Sequence, residues 1–442
     1  MTEIILSFDT EDFTNPGPSA DAIRTEAEIL RSEGVKGCFV CVGLLARMLK
    51  ENGRFDVIEA LRAHEIGLHT YGHTLHPLIN EYTDIDDWRA AVDRVIKQET
   101  EVVAMLRDVF GEISIHAACP PGNQTSYAAQ LAYAQMGIPI YADAVVDTPD
   151  GRGLYFCNNF NLKYVQSMES VMFTGGEKEL RAMLERMARR RFAIIYTHPH
   201  ISVYKEHWDV PNFDKKNLRR EGDYIIPERR SDAEIDRFFN NLRLLIRLIK
   251  EDGRFRFTTY GAIAERLRKQ PTRRILRSEL PSITKALDGR LAPLSAPASL
   301  SPADLFFACA AFLRGEEEYR CKNVYGPMSA PYAIDKPTKI SAEAIRASAE
   351  RIDDTAPIPA KILAGNIALG PADWLFAALS VLTGAEQITA QPRGQLPELS
   401  EYPELRDLRY KGTWRHSDEF EDRYLSDRLR YQAWTIRPAE NF

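Results

Sequence analysis

Through roughly the first 270 positions, short apolar runs alternate with stretches in which apolar residues recur every three or four places. The runs read as strands at Ile4–Phe8, Gly37–Val42, Glu65–His69, Ile113–Ala118, Ile138–Ala142, Phe192–Thr197 and Phe255–Thr258. Ile23, Ala27 and Leu30 predict a helix capped by Ser19 and stopped at Gly34. Trp88, Val92, Val95, Val102 and Leu106 predict a long helix, and Ile235 to Ile249 another. Strands alternating with helices predict an α/β domain whose parallel sheet is wound into a barrel or doubly wound and open.

The pattern changes after residue 272. Residues 273–299 hold LPSI and LAPLSAPAS, a Pro/Ser-rich composition that predicts a linker. Beyond it, LSPADLFFA from Leu300 is echoed by LGPADWLFA from Leu369. Each copy has proline at a helix start and aspartate in the first turn, and each apolar helix runs towards a glycine, Gly315 or Gly384. Residues 300–442 therefore read as a duplicated, mainly helical accessory module ending in a closing helix and tail. Its expected role is to position a partner, a second subunit in a homo-oligomer, or a large substrate. No motif in it predicts chemistry.

With 442 residues, 44% hydrophobic and 27% charged, the chain has the composition of a globular protein with a sizeable core. No apolar run approaches the ~18 residues of a membrane span. The opening MTEIILSFDTED puts a strand and carboxylates where a leader would lie, so the expectation is a cytoplasmic protein. A net charge of −6 argues against a nucleic-acid-binding surface. Six irregularly spaced cysteines do not form a disulfide scaffold. Cys38 and Cys41, a CxxC pair, fall inside a strand on opposite faces and predict core rather than a metal knuckle.

Three clusters carry the candidate chemistry, each at the C-terminal end of a predicted strand. They are Asp9-Thr-Glu-Asp12, His69-Thr-Tyr-Gly-His73 and His198-Pro-His200. Active sites of parallel β/α folds gather at that edge. His69 and His73 are four apart, so one helical turn would put both imidazoles on one face. Two imidazoles and a carboxylate make a divalent-metal site with open positions, zinc being the first expectation and cobalt or nickel the alternatives. A second carboxylate is left to act as general base. The other histidines have plainer readings: His64 at a helix end, His116 in the core, His207 on the surface.

With these residues in view, the chain resembles the metal-dependent polysaccharide deacetylases, carbohydrate esterase family 4. SFDTED looks like that family's first motif, HEIGLHTYGHTLHP its second, ACPPGNQT a variant of its third and YTHPH its fifth. The resemblance covers about residues 1–272 and implies a distorted (β/α) barrel of about seven strands. It implies Asp9 as base, His69 and His73 as metal ligands with Glu11 or Asp12 as the third, and His198, rather than His200, as general acid. Pro121 and Gly122 would shape the cleft and its oxyanion pocket, and Tyr155 would supply an apolar wall. Where the family commonly has an arginine that pairs with the base, this chain has Cys119. The implied reaction is removal of acetyl groups from N-acetylated sugar units of a glycan or glycoconjugate. The alternatives are an amidohydrolase of the same fold acting on a small non-sugar amide or imide, and an inactive carbohydrate-binding or scaffold protein.

Overall fold

A computed structural model describes the chain except residues 215–216, 411–419 and 440–442. It divides into two compact units. The first comprises residues 1–153, 161–268 and 411–421, and the second residues 154–160, 269–410 and 422–442.

The first unit is built on a curled, mainly parallel sheet. Its central strand, β1 (Thr2–Thr10), is buried along its whole length. A strand covered on both faces needs a nearly continuous apolar run, which IILSF supplies. On one side follow β2 (Cys38–Cys41), β3 (Glu65–Leu68), β4 (Ala117–Ala118) and β5 (Ile140–Ala142), all parallel. On the other side lie Phe192–Thr197 and then Tyr164–Ser167, also parallel, while Phe255–Phe257 pairs with the start of β1. Each of the seven runs read from the sequence overlaps one of these strands. The Tyr164–Ser167 strand had no reading of its own.

Helix Pro18–Ser32 buries Ala20, Ile23, Ala27 and Leu30, as its periodicity requires. Its cap differs from expectation: Gly17 precedes it, Pro18 takes the first position, and Ser19 lies inside with its hydroxyl donating to Asp12. Helix Trp88–Phe110 is capped by the Asp87 carboxylate, which accepts from the N–H groups of Arg89 and Ala90. Helix Asp232–Glu251 starts from a reciprocal Ser231–Glu234 capping box. Cys38 and Cys41 are buried thiols in β2, as read.

The second unit holds the two echoed helices, Pro302–Leu313 and Pro371–Leu382. Asp304 accepts from the Ser301 N–H at 3.0 Å, and Asp373 from the Gly370 N–H at 3.1 Å, so both copies start with the same device. Short antiparallel pairs accompany them: Arg274–Leu276 with Glu318–Arg320, Thr338–Ser341 with Gln387–Ala390, and Ile362–Ala364 with Ile367–Leu369. The stretch expected as a linker is core-building instead. It carries a strand and helix Leu280–Leu287, and Leu280, Ile283, Leu287, Leu291 and Leu294 all join the unit's apolar core. Their spacing of three and four outweighs the Pro/Ser-rich composition around them. The tail's helix is Leu425–Tyr431. Among the described residues no helix is long and apolar enough to cross a membrane.

Glu99 lies on the inward face of the long helix, with no exposed surface. Burial pushes its carboxyl up to about 8, with the neighbouring Tyr133 hydroxyl only partly opposing it. An acid raised this way is neutral when folded, so its contribution is complete below about 4.5 and is lost as pH rises through about 8. Glu99→Gln should therefore gain stability relative to the parent between about pH 5 and pH 8.5, measured as the shift in denaturant midpoint. Parallel pH dependences in the two proteins would refute it.

Candidate active site

Strand register brings the three clusters together. Thr10 of β1 lies opposite Cys41 of β2, Cys41 opposite Leu68 of β3, and Phe8 opposite Thr197. Glu11, His69 and His198, the residues next in each strand's path, therefore leave the sheet at one edge.

Glu11 Oε2 lies 2.7 Å from His73 Nε2 and 3.3 Å from His69 Nε2, and all three side chains are buried. A helical turn does not achieve this. Thr70 (φ 65°) and His73 (φ 56°) are both left-handed, and the resulting turns set the two rings 5.3 Å apart. His69 Nδ1 is 3.1 Å from the Cys119 carbonyl, which fixes its proton there and leaves the Nε2 lone pair facing Glu11. His73 Nδ1 is backed by Asp209 Oδ2 at 3.5 Å, a carboxylate–imidazole pairing common behind metal ligands. The donor set of one carboxylate and two imidazoles, converging within 4.8 Å, fits a divalent cation with positions left open. Burial alone would raise the Glu11 carboxyl. The charges of His73 and His198, with the His207 and His69 imidazoles alongside, outweigh that and hold it well below the usual range.

Asp12, the other carboxylate expected as a possible third ligand, is occupied elsewhere. It accepts from the Thr14 N–H at 3.0 Å, from the Thr14 hydroxyl at 2.6 Å and from Ser19. Those bonds turn it towards the start of the helix at Pro18, an Asx-type role. Burial pushes its carboxyl up to about 6.

Asp9 and His198 face each other, Oδ2 to Nε2, at 3.7 Å. Tyr164 donates to Asp9 Oδ1 at 2.6 Å. The Tyr164 oxygen receives the Cys119 thiol at 3.3 Å and lies 3.0 Å from the Ser7 hydroxyl, to which Tyr260 donates at 3.2 Å. Cys119, at the position where the resemblance expects an arginine, thus feeds a neutral network that ends on the base. Burial raises the Asp9 carboxyl despite the opposing effects of His69, His198 and Tyr164. His198 Nδ1 is 2.6 Å from Glu169 Oε1. Burial would lower His198, but Glu11, Glu169 and Asp9 outweigh it and push it up to about 10. His200 sits in the short helical turn Pro199–Ser202, buried, and faces His207.

Asp9, Glu11, His73, Tyr164 and His198 line a cavity of about 330 Å³ together with His207 and Asp209. Pro120 and Gly122 contribute to its wall, whereas Pro121 is not among the lining residues. Tyr155 is placed elsewhere. It belongs to the second unit, where its hydroxyl donates to Gln270 at 3.1 Å and the Arg437 guanidinium lies 3.7 Å from its ring centre. His207, read as a surface residue, stands in the site with its ring centre 4.6 Å from that of His198. Tyr164, Glu169, Trp208 and Asp209 carried no sequence signal. The dense run His207-Trp208-Asp209, closely following His198-Pro-His200, was the nearest thing to one.

The site is thus an α/β strand-edge centre with a metal-competent triad beside the facing Asp9 and His198 side chains. No family model matches this sequence, and none of the curated proteins searched matches it. Solved structures with a similar fold include a wild-type CE4 family pseudoenzyme from Bacillus anthracis, at 14% identity and a TM-score of 0.34, covering 59% of this chain and 65% of that one. A CE4 esterase from Streptococcus mutans matches at 13% identity and 0.35, covering 58% and 85%. A variant of the peptidoglycan deacetylase PdaC from Bacillus subtilis matches at 12% and 0.33, covering 64% and 96%. Likenesses this distant carry no functional conclusion, so the reading of the site rests on its own geometry.

The triad makes a direct expectation. His69→Ala and His73→Ala should each lose one equivalent of bound zinc, whereas Asp12→Asn should keep the parent content, as counted by elemental analysis after dialysis. Loss in Asp12→Asn with retention in either histidine variant would invert the ligand assignment.

Proposed function

We propose that this chain is a metal-dependent hydrolase that removes acetyl groups from N-acetylated sugar units. The observation that carries the reading is the pairing of Asp9 with His198 beside the Glu11–His69–His73 triad, all at one sheet edge. A divalent cation held by that triad, with zinc the first expectation, supplies polarisation of the amide carbonyl and acidification of water.

The protein's own groups do the rest. Asp9, aimed by Tyr164, takes the proton of the attacking water. His198, protonated and oriented by Glu169, donates to the departing amine. An amide does not break without that donation. The backbone at Gly122 borders the cavity where an oxyanion would develop.

A second reading, hydrolysis of a small non-sugar amide or imide, is favoured by the compactness of the 330 Å³ cavity. Acetate release from N-acetylglucosamine oligomers, peptidoglycan fragments and nucleotide sugars, set against ammonia or acid release from small amides and imides, separates the two. Each substrate is assayed with zinc, cobalt or nickel added. No turnover of any of them by metal-loaded protein would leave the inactive binding or scaffold reading.

Two variants test the assigned roles. His198→Ala should retain bound metal and lose about 10²–10⁴-fold in amide turnover, with a smaller loss on an ester whose leaving group needs less help. The same selective loss in His200→Ala instead would move the acid role. Tyr164→Phe should lower kcat by roughly 10–100-fold, the worth of a hydrogen bond to a charged group, with metal content unchanged. In an Asp9→Asn background that loss should vanish. Equal losses in both backgrounds would exclude a role through the base.

A further inference from the structure

The segment after His200 loops back over the site, and three consecutive residues reach into it. Trp208 donates from Nε1 to Glu11 Oε1 at 3.1 Å, Asp209 backs His73 at 3.5 Å, and His207 Nδ1 stands 3.9 Å from Glu11 Oε1. His200 Nε2 lies 3.3 Å from that same His207 nitrogen. We propose that Glu11, His200 and His207 form a second divalent-cation site, sharing Glu11 as a bridging carboxylate with the triad at His69 and His73.

The spacing of the ligand atoms fits a cation. Two ligands held ~2.1 Å from a tetrahedral ion lie ~3.4 Å apart, close to the 3.3 Å between the two imidazole nitrogens. The three candidate ligand atoms lie within 4.8 Å of one another. His200 is 2% exposed, and its Nδ1 has no hydrogen-bond partner among the described residues. The two carboxylate oxygens of Glu11 are also divided: Oε2 faces His69 and His73, while Oε1 faces His207 and Trp208.

The surroundings favour added positive charge. Asp9, Glu11, Asp143 and Asp209 all line the cavity, and neither lysine nor arginine does so among the described residues. Buried carboxylates are costly unless paired or coordinated. Glu169, His198 and His207 also converge, but Glu169 and His198 already share a 2.6 Å bond that a cation there would have to displace. Imidazole-rich ligation selects zinc, cobalt or nickel over magnesium or calcium. A cation on His207 would also tie the returning segment to the strand ends.

The proposal rests on the metal-site reading above, because Glu11 is common to both. The test is titration of the chelator-stripped full chain with Co(II) alone, counting bound cobalt and following its visible absorption. The expected result is two equivalents in the parent and one in His200→Asn, in His207→Gln and in His69→Asn. His207 has a side chain 38% exposed, so its replacement leaves the core intact even if the His200 variant does not fold. One equivalent in the parent, lost in His69→Asn and kept in His207→Gln, would overturn the second site and leave the first. Two equivalents in both His200→Asn and His207→Gln, or loss of the second in His198→Asn with retention in His200→Asn, would also overturn it. No binding at all would overturn both readings.

Discussion

The buried carboxylate of Glu11 constrains everything around it. It follows a strand buried along its whole length and is 1% exposed, where an uncompensated charge would cost several kcal/mol. The fold answers with hydrogen-bond donors and imidazoles from separate parts of the chain: His69 and His73 after β3, and His207 and Trp208 from the returning segment. None of these partners is local to Glu11. Satisfying one side chain therefore fixes how two strand ends and a loop meet.

That dependence explains what was legible in the sequence. Asp9, Glu11, His69, His73 and His198 were readable because each directly ends or follows a strand whose apolar run is itself visible. Strand register then aligned them without further information. Tyr164 and Glu169 were not readable. They contact Asp9 and His198 across separations of 155 and 29 residues, through the pairing of a weak, half-exposed strand, YVQS, with the Phe192–Thr197 strand. His207 was misread because the residues around it alternate charged and apolar in a way that suits a surface loop. The ring spacing at His69 and His73 was right for the wrong reason, since left-handed turns replace the helical one.

The second unit shows the complementary failure. Its echoed helices announced themselves by repeated proline, aspartate and glycine, and the caps are as those residues dictate. Residues 273–299 were obscured by composition, although Leu280, Ile283, Leu287, Leu291 and Leu294 hold a helix-like period. Composition describes what a segment is made of, whereas period describes which face it buries. Where they disagree, burial follows the period. Tyr155 shows the same limit at a single residue. Its neighbours in sequence are strand-like, yet residues 154–160 belong with the second unit, which no local pattern encodes.

Cys119 and Tyr164 leave Asp9 with neutral neighbours where the resemblance would expect an arginine. A guanidinium beside Asp9 would hold the base's carboxyl down and weaken it as a proton acceptor. It would also place a positive charge near His198, whose proton is retained because Glu11, Glu169 and Asp9 outweigh its burial. Tyr164 orients the same carboxylate with a neutral donor. The Asp9 carboxyl then keeps a raised value, and His198 keeps its proton, as the proposed base and acid require. Orientation without charge therefore preserves both halves of the acid–base pair in a site with few fixed cations of its own.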